Sequence, residues 1–254
     1  MAYLVIDLDL TVFVSQQDIQ YVNTFHQLSP KFSGKLEGID AQYELRLINP
    51  EKLRDLIETA YYSHDGVIIL TAGLWDKSIV LKIAAELHLN SEVRNKFIEC
   101  AFINPLSCQL LPRFSHLEIS EIQYMSKGER IEAHMQEYDF PKTKQLVLLD
   151  DTPMHANSFT LRLNGQGHGV IAKTSEASYK FYDIAKAVLK QAQTFENTHV
   201  QLPFFSEKNS RQQTIHYRAK KNNNLAEGRT STMEPHRKIA TDSNGICDYC
   251  CTFM

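Results

Sequence analysis

The chain has 254 residues, with 27 Lys+Arg against 30 Asp+Glu for a formal net charge of −3, and 43% of the residues are apolar. That balance suits a soluble chain with one sizeable core plus an appendage, and it argues against bulk binding to nucleic acid. No stretch approaches the roughly 20 apolar residues of a membrane span, and the opening MAYLVIDLDL carries two carboxylates by residue 9 and no basic region, which argues against a signal peptide.

Up to about residue 194, short β-branched apolar runs alternate with helical patterns. The runs Tyr3 to Ile6, Val67 to Leu70, Phe97 to Ile103, Leu146 to Leu149 and Gly169 to Ile171 are predicted strands, short and continuous as in a parallel sheet covered on both faces. Helices are predicted over Pro50 to Ser63, Asp76 to Leu87, Lys127 to Glu137 and Ser175 to Gln193. The first of these opens with Asn49-Pro50-Glu51, good chemistry for a cap and first turn. The alternation reads as a doubly wound α/β domain. Beyond it, residues 205–240 hold eight basic side chains against three acidic ones and few large apolar residues. Too little apolar surface is available there to offset chain entropy, so residues 195–254 read as a flexible, disordered basic tail. The five cysteines are an odd count with three in the last eight residues, a pattern that suits a reducing compartment better than a disulfide framework.

The chemistry begins directly after the first run, in Asp7-Leu8-Asp9-Leu10-Thr11. Ligand sites of parallel α/β sheets lie beyond the carboxyl ends of the strands, where a loop can aim both aspartates at one ligand. Converging carboxylates repel one another, and a divalent cation is the usual remedy. Alone the pattern is weak, because glycosyltransferases and calcium loops contain it and strand-end aspartates also cap turns. Three later elements sharpen it. Thr71-Ala72-Gly73 ends the second run with a hydroxyl and a small-residue turn whose N–H groups suit phosphate oxygens. Lys127 opens a helix, an awkward place for a structural lysine because the positive end of the helix dipole repels it. Asp150-Asp151 ends the fourth run. Each has a plainer reading too: Thr71 as the cap of the following helix, Asp150-Asp151 as a turn before Pro153, the histidines (His26, His64, His88, His134) as packing or surface residues.

In this order the four motifs resemble those of the haloacid dehalogenase-like (HAD) phosphohydrolases, over a framework from about Ala2 to Lys190. The resemblance implies a Rossmann-like sheet with small cap insertions, here at about 14–48 and 104–125, and a Mg²⁺-dependent phosphatase. Asp7 is then the nucleophile that forms an aspartyl-phosphate, and Asp9 the general acid and later base. Thr71, Ala72 and Lys127 bind the phosphoryl group. Asp7, Asp150, Asp151 and the main-chain carbonyl of Asp9 hold the metal. An acid two residues after the nucleophile separates phosphatases from the dehalogenase branch. Leu10 departs from the family by standing where glycine is common.

The insertions are too short for a large cap domain, which leaves the site open to bulky substrates: a phosphoprotein, a lipid headgroup, or otherwise a small metabolite. Tyr21, Phe25, Phe32 and Tyr43 suit either contact with a phosphotyrosine ring or the core of the lid. The ending Cys251-Thr252-Phe253-Met254 matches C-a-a-X, implying farnesylation of Cys251 by a prenyltransferase; Cys247 and Cys250 are candidate acylation sites, and the basic stretch adds attraction to an anionic membrane. The alternative is a redox or zinc fragment with His236 as a poorly spaced ligand. Lipidation of this kind implies the cytosolic face of a eukaryotic membrane, and the overall texture resembles bacterial effectors delivered into host cells. Two rivals stand beside the anchored phosphatase: a lipid-anchored scaffold that binds phosphorylated partners without turnover, and a soluble metabolite phosphatase.

Overall fold

The computed structural model describes residues 2–138 and 144–195. The expected basic tail, with Cys247, Cys250 and Cys251, lies outside the described residues. Five parallel strands form the main sheet: β1 (Ala2–Ile6), β5 (Gly66–Leu70), β6 (Ala101–Ile103), β7 (Gln145–Asp150) and β8 (Gly167–Ile171). Between them run α1 (Pro50–Ser63), α2 (Ile79–Glu86), α3 (Ser91–Ile98), α4 (Pro105–Gln109), α5 (Ile119–Tyr124), α6 (Lys127–Glu137) and α7 (Pro153–Arg162), with α8 (Lys180–Phe195) last. Among the described residues no helix is long and apolar enough to cross a membrane.

Successive strand residues point to opposite faces, and the apolar runs feed both. Leu4, Ile6, Val67, Ile69, Val147 and Leu149 pack with Leu53 and Ile57 of α1, Ile83 of α2, Phe97 of α3 and Leu189 of α8. On the other face Val5, Ile68, Leu70, Leu146 and Leu148 pack with Cys108 of α4, Ile122 of α5, Ile131 of α6 and Phe159 of α7. Each such fully buried aliphatic side chain contributes roughly 1.5–3 kcal/mol, which is why the runs are continuous instead of alternating.

The strand order is β6-β5-β1-β7-β8. The chain starts in the middle, winds outward through β5 and β6, then returns to the other side of β1 through β7 and β8. The direction of winding therefore reverses between β1 and β7, and at such a switch point the loops diverge and leave a crevice beyond the strand ends. Asp7 follows β1 there, and Asp150 ends β7.

Three expected elements differ. The run Phe97 to Ile103 is strand only over β6, because Asn90 caps α3 by accepting from the Val93 N–H at 3.0 Å, and Val93 and Phe97, four apart, form that helix's buried face. The helix predicted from Asp76 begins at Ile79; the Asp76 carboxylate instead accepts from the Ser78 N–H at 2.7 Å and closes a turn. The last helix starts at Lys180 instead of Ser175, after turns through Glu176 and Ser178.

The stretch expected as the first insertion contains β2 (Phe13–Ser15), β3 (Phe32–Lys35) and β4 (Gln42–Leu47), a small antiparallel sheet of order β2-β4-β3. The second expected insertion holds α4 and α5.

Candidate active site

Four separate segments converge at the switch point. Asp7 continues the β1 ladder by donating its N–H to the Leu149 carbonyl at 3.0 Å, so its side chain issues from the sheet itself and is only 3% exposed. Lys127 is the first residue of α6, whose start is fixed by Ser126 accepting from the Glu129 N–H at 3.2 Å. Its ammonium, 1% exposed, bridges two carboxylates: it is paired with Asp7 Oδ1 and lies 2.5 Å from Asp150 Oδ2. The second residue of α6 must be small. A Cβ on Gly128 would stand 2.6 Å from the Ser158 carbonyl, so glycine is what lets α6 lie against α7 and carry Lys127 into the crevice.

Thr11 ties two of the loops together, donating to Asp7 Oδ2 at 3.4 Å and accepting from the Asp151 N–H at 2.9 Å. The second oxygen of Asp150 accepts from the Thr152 N–H at 2.8 Å. Asp7, Asp150 and Asp151 each present an oxygen within 4.8 Å of the others. Asp9 is apart from this trio. Its carboxylate receives the Trp75 indole N–H at 3.0 and 3.1 Å and the Thr71 hydroxyl at 3.5 Å. Thr71 does not cap a helix: its Oγ1 accepts from the Gly73 N–H at 3.0 Å, within the turn that follows β5. Behind that turn the fully buried Arg130 donates from Nη1 to the Thr71 carbonyl at 2.6 Å, while its Nε and Nη2 find no hydrogen-bond partner among the described residues.

Burial dominates the electrostatics. It pushes the Asp7 carboxyl well above the usual range, more than the Lys127 ammonium can pull it back, and Asp150, Asp151 and Asp9 push the same way. Burial, with Asp150 beside it, pushes Asp151 up to about 6. Burial also raises Asp9, opposed by the Trp75 hydrogen bond. Lys127 moves up as well: burial works against its charge, but Asp150 and Asp7 together outweigh burial. His155, on α7 next to the site, is held neutral by burial and by Lys127, its pKa down at about 4.

The side chains present fit a divalent cation. The donor atoms are hard carboxylate oxygens, three of them from Asp7, Asp150 and Asp151 close enough together to share one ion. The raised carboxyls also yield a pH test. A carboxyl whose folded pKa lies above its unfolded value adds stability at low pH that is lost as pH rises through the interval between the two, here about 3.8 to about 6 for Asp151. In chelator, Asp151→Asn is therefore expected to gain on the wild type between pH 4 and pH 7, by on the order of 1 kcal/mol after solvent screening, as read by denaturant melts across that range. A gap between the two proteins that does not change with pH would contradict it.

Every expected site residue within the described range lies around this crevice. Ala72, half-exposed beside Thr71, accepts from the Gln123 side chain at 3.4 Å. The expected open site is found only at the rim, where Asp9, Ala72, Gly73, Asp151 and Thr152 are half-exposed; the floor of Asp7, Lys127, Thr71 and Asp150 is buried. Phe32 and Tyr43 pack against the core, and Phe25 lies at 4.7 Å on Tyr179, which leaves Tyr21 and Phe25 as the exposed aromatics of that group. Leu10 stands at φ 55, the left-handed conformation glycine favours. It is held there by packing on Val14, Val22 and Ile48 and by the Thr174 hydroxyl, which donates to its carbonyl at 3.1 Å.

Thr11, Trp75 and Arg130 were not foreseen as site residues. Arg130 had a readable signal, three residues after Lys127 and so on the same helix face; Trp75 is the sole tryptophan of the chain, four residues after Thr71. A comparison with known protein families finds none that matches this chain, and no curated protein matches it either. The functional reading therefore rests on the geometry of the site.

Proposed function

We propose that this chain is a Mg²⁺-dependent phosphatase of the haloacid dehalogenase-like kind, built on a Rossmann-like sheet and working through an aspartyl-phosphate on Asp7. One observation carries the reading: a buried lysine at a helix start bridges the first aspartate of D-x-D to an aspartate from the far side of the switch point. A structural core has little use for two buried carboxylates around one ammonium, since the desolvation of such groups rivals or exceeds their attraction. Phosphoryl transfer has every use for them, because its catalysis is mostly positioning and charge stabilisation.

In this reading Asp7 Oδ attacks phosphorus as the bond to the leaving oxygen breaks, and Asp9 gives that oxygen its proton. Asp9 then takes a proton from the water that hydrolyses the aspartyl-phosphate. Lys127, the Thr71 hydroxyl and the N–H groups of the turn at residues 72–73 bind the phosphoryl oxygens, and Lys127 also holds the nucleophile. Asp7, Asp150 and Asp151, with the Asp9 carbonyl, would hold Mg²⁺, which supplies charge neutralisation for the transferred group. The half-exposed rim suits a phosphate monoester on a larger body, whether protein, lipid headgroup or metabolite.

The test is hydrolysis of p-nitrophenyl phosphate by the full-length protein. Turnover with Mg²⁺ that disappears in excess chelator is the expected result. No turnover from a folded protein whose melting temperature Mg²⁺ raises would sink the enzyme and favour a binding role for the same site.

A further inference from the structure

We propose that Trp75 is the positioning residue for the acid Asp9, and that through it the small antiparallel sheet takes part in the chemistry; this rests on the phosphatase reading above. The indole N–H lies 3.0 and 3.1 Å from the two oxygens of Asp9, across 66 residues of sequence. The contact is built in from both sides. A Cβ on Gly73 would stand 2.6 Å from the indole nitrogen and 2.8 Å from Asp9 Oδ2, so the turn leaves room for the pair only because that residue is glycine. The ring is 6% exposed and meets Phe13 of β2 edge-on at 5.0 Å and Tyr43 of β4 at 5.9 Å.

The backbone around Trp75 is fastened to the same small sheet. Asp76 donates to the Lys35 carbonyl at 2.9 Å, Glu37 donates to the Leu74 carbonyl at 2.7 Å, and Leu36 bridges to Trp75 itself. The Asn104 side chain donates to the Trp75 carbonyl at 3.3 Å. The indole is thus a rigid strut with one end in the lid sheet and its polar tip on the acid.

Its chemistry suits that placing. Trp has a single N–H and no acceptor. An ionised Asp9 shares this donor between both oxygens. Once protonated, Asp9 keeps one acceptor oxygen for the indole, and its O–H turns away from Trp75 toward the substrate. As the Asp7 Oδ–P bond forms and the P–O bond to the leaving group breaks, the leaving oxygen takes that proton. The carboxylate left behind again receives the indole N–H, so the strut stabilises the form of Asp9 that must next accept a proton from water. Phenylalanine at residue 75 fills most of the same volume and offers none of this.

The experiment uses the full chain with Mg²⁺ and two esters that differ in need for an acid: p-nitrophenyl phosphate, whose leaving group departs with little help, and phenyl phosphate, whose leaving group needs a proton. For Trp75→Phe, kcat/KM is expected to fall at least about 10-fold further on phenyl phosphate than on p-nitrophenyl phosphate. Adding Asp9→Asn to Trp75→Phe should then cost far less than it costs the wild type, because the two residues act as a unit. A role confined to packing would lower both esters by the same factor. Because Trp75 is the sole tryptophan, emission gives a readout independent of turnover: Asp9→Asn, which removes the charge beside the indole, shifts it. An unmoved ester ratio in an enzyme whose wild type is active overturns the positioning role alone. Unchanged emission overturns the contact. A wild type inactive on both esters overturns the phosphatase reading and this role with it.

Discussion

Asp7→Asn is expected to lose Mg²⁺-dependent phosphatase activity by roughly 10⁴-fold or more while remaining folded. Asparagine keeps the shape of the side chain and the acceptor for Thr11, but its amide is no nucleophile toward phosphorus. The same substitution removes a carboxyl whose ionisation is disfavoured by burial and by Asp150, Asp151 and Asp9 beside it. Lys127 still has Asp150 at 2.5 Å, so the ammonium is not orphaned. The melting temperature in chelator should therefore hold or rise as activity vanishes, and a thermal melt beside a steady-state assay reads both. Retained turnover would remove Asp7 from the chemistry. Lost turnover with a collapsed fold would place Asp7 among the structural residues.

Lys127→Met is the opposite case, with the largest expected cost to stability. Methionine matches the length of the lysine stem but leaves Asp7 and Asp150, 3% and 0% exposed, facing each other and Asp151 with only Arg130 nearby. Breaking a buried pair by removing one partner costs about 3–5 kcal/mol, and here a single ammonium serves two carboxylates. In chelator at pH 7 the variant should melt at much lower denaturant than the wild type. Mg²⁺ should recover part of the loss by taking over the neutralising charge, without restoring turnover. Full stability in chelator would mean that the carboxylates carry protons in the folded protein and that the lysine matters little to the fold.

How much of this was legible in the sequence depends on what each residue answers to. Val67 to Leu70 and Leu146 to Leu149 are apolar because both faces of the sheet are covered, so strands of a covered parallel sheet could be read from them, though not their order. Asp7, Lys127 and Asp150 stand at element boundaries, where their charge has few structural uses. The small sheet was harder: β3 reads Phe-Ser-Gly-Lys and β4 Gln-Tyr-Glu-Leu-Arg-Leu, and their apolar positions make sense only once the Phe13, Tyr43 and Trp75 rings are known to share a space. The run Phe97 to Ile103 misled because an apolar residue at the end of a helix and one at the start of a strand are indistinguishable by composition. Pro153, after Thr152, carried an unused signal for α7, proline at the first helical position. Trp75 had no such signal, since an aromatic in a loop ordinarily means packing.

The placement of β1 bears on how the protein is made. It is synthesised before every other strand of the main sheet, yet it sits at the centre, with Val5 paired to Ile68 on one side and Leu148 on the other. Its ladder on the β7 side cannot form until the roughly 140 residues that separate β1 from β7 have been synthesised, and closing such long loops is slow compared with forming local helices. Until then the apolar strand Ala2–Ile6 waits without that neighbour, the situation in which a nascent chain most needs shielding from other chains. Asp7 and Asp150 come from opposite sides of that late seam, so synthesis arrested anywhere before Asp150 leaves the carboxylate cluster incomplete, however much of the small sheet has already formed.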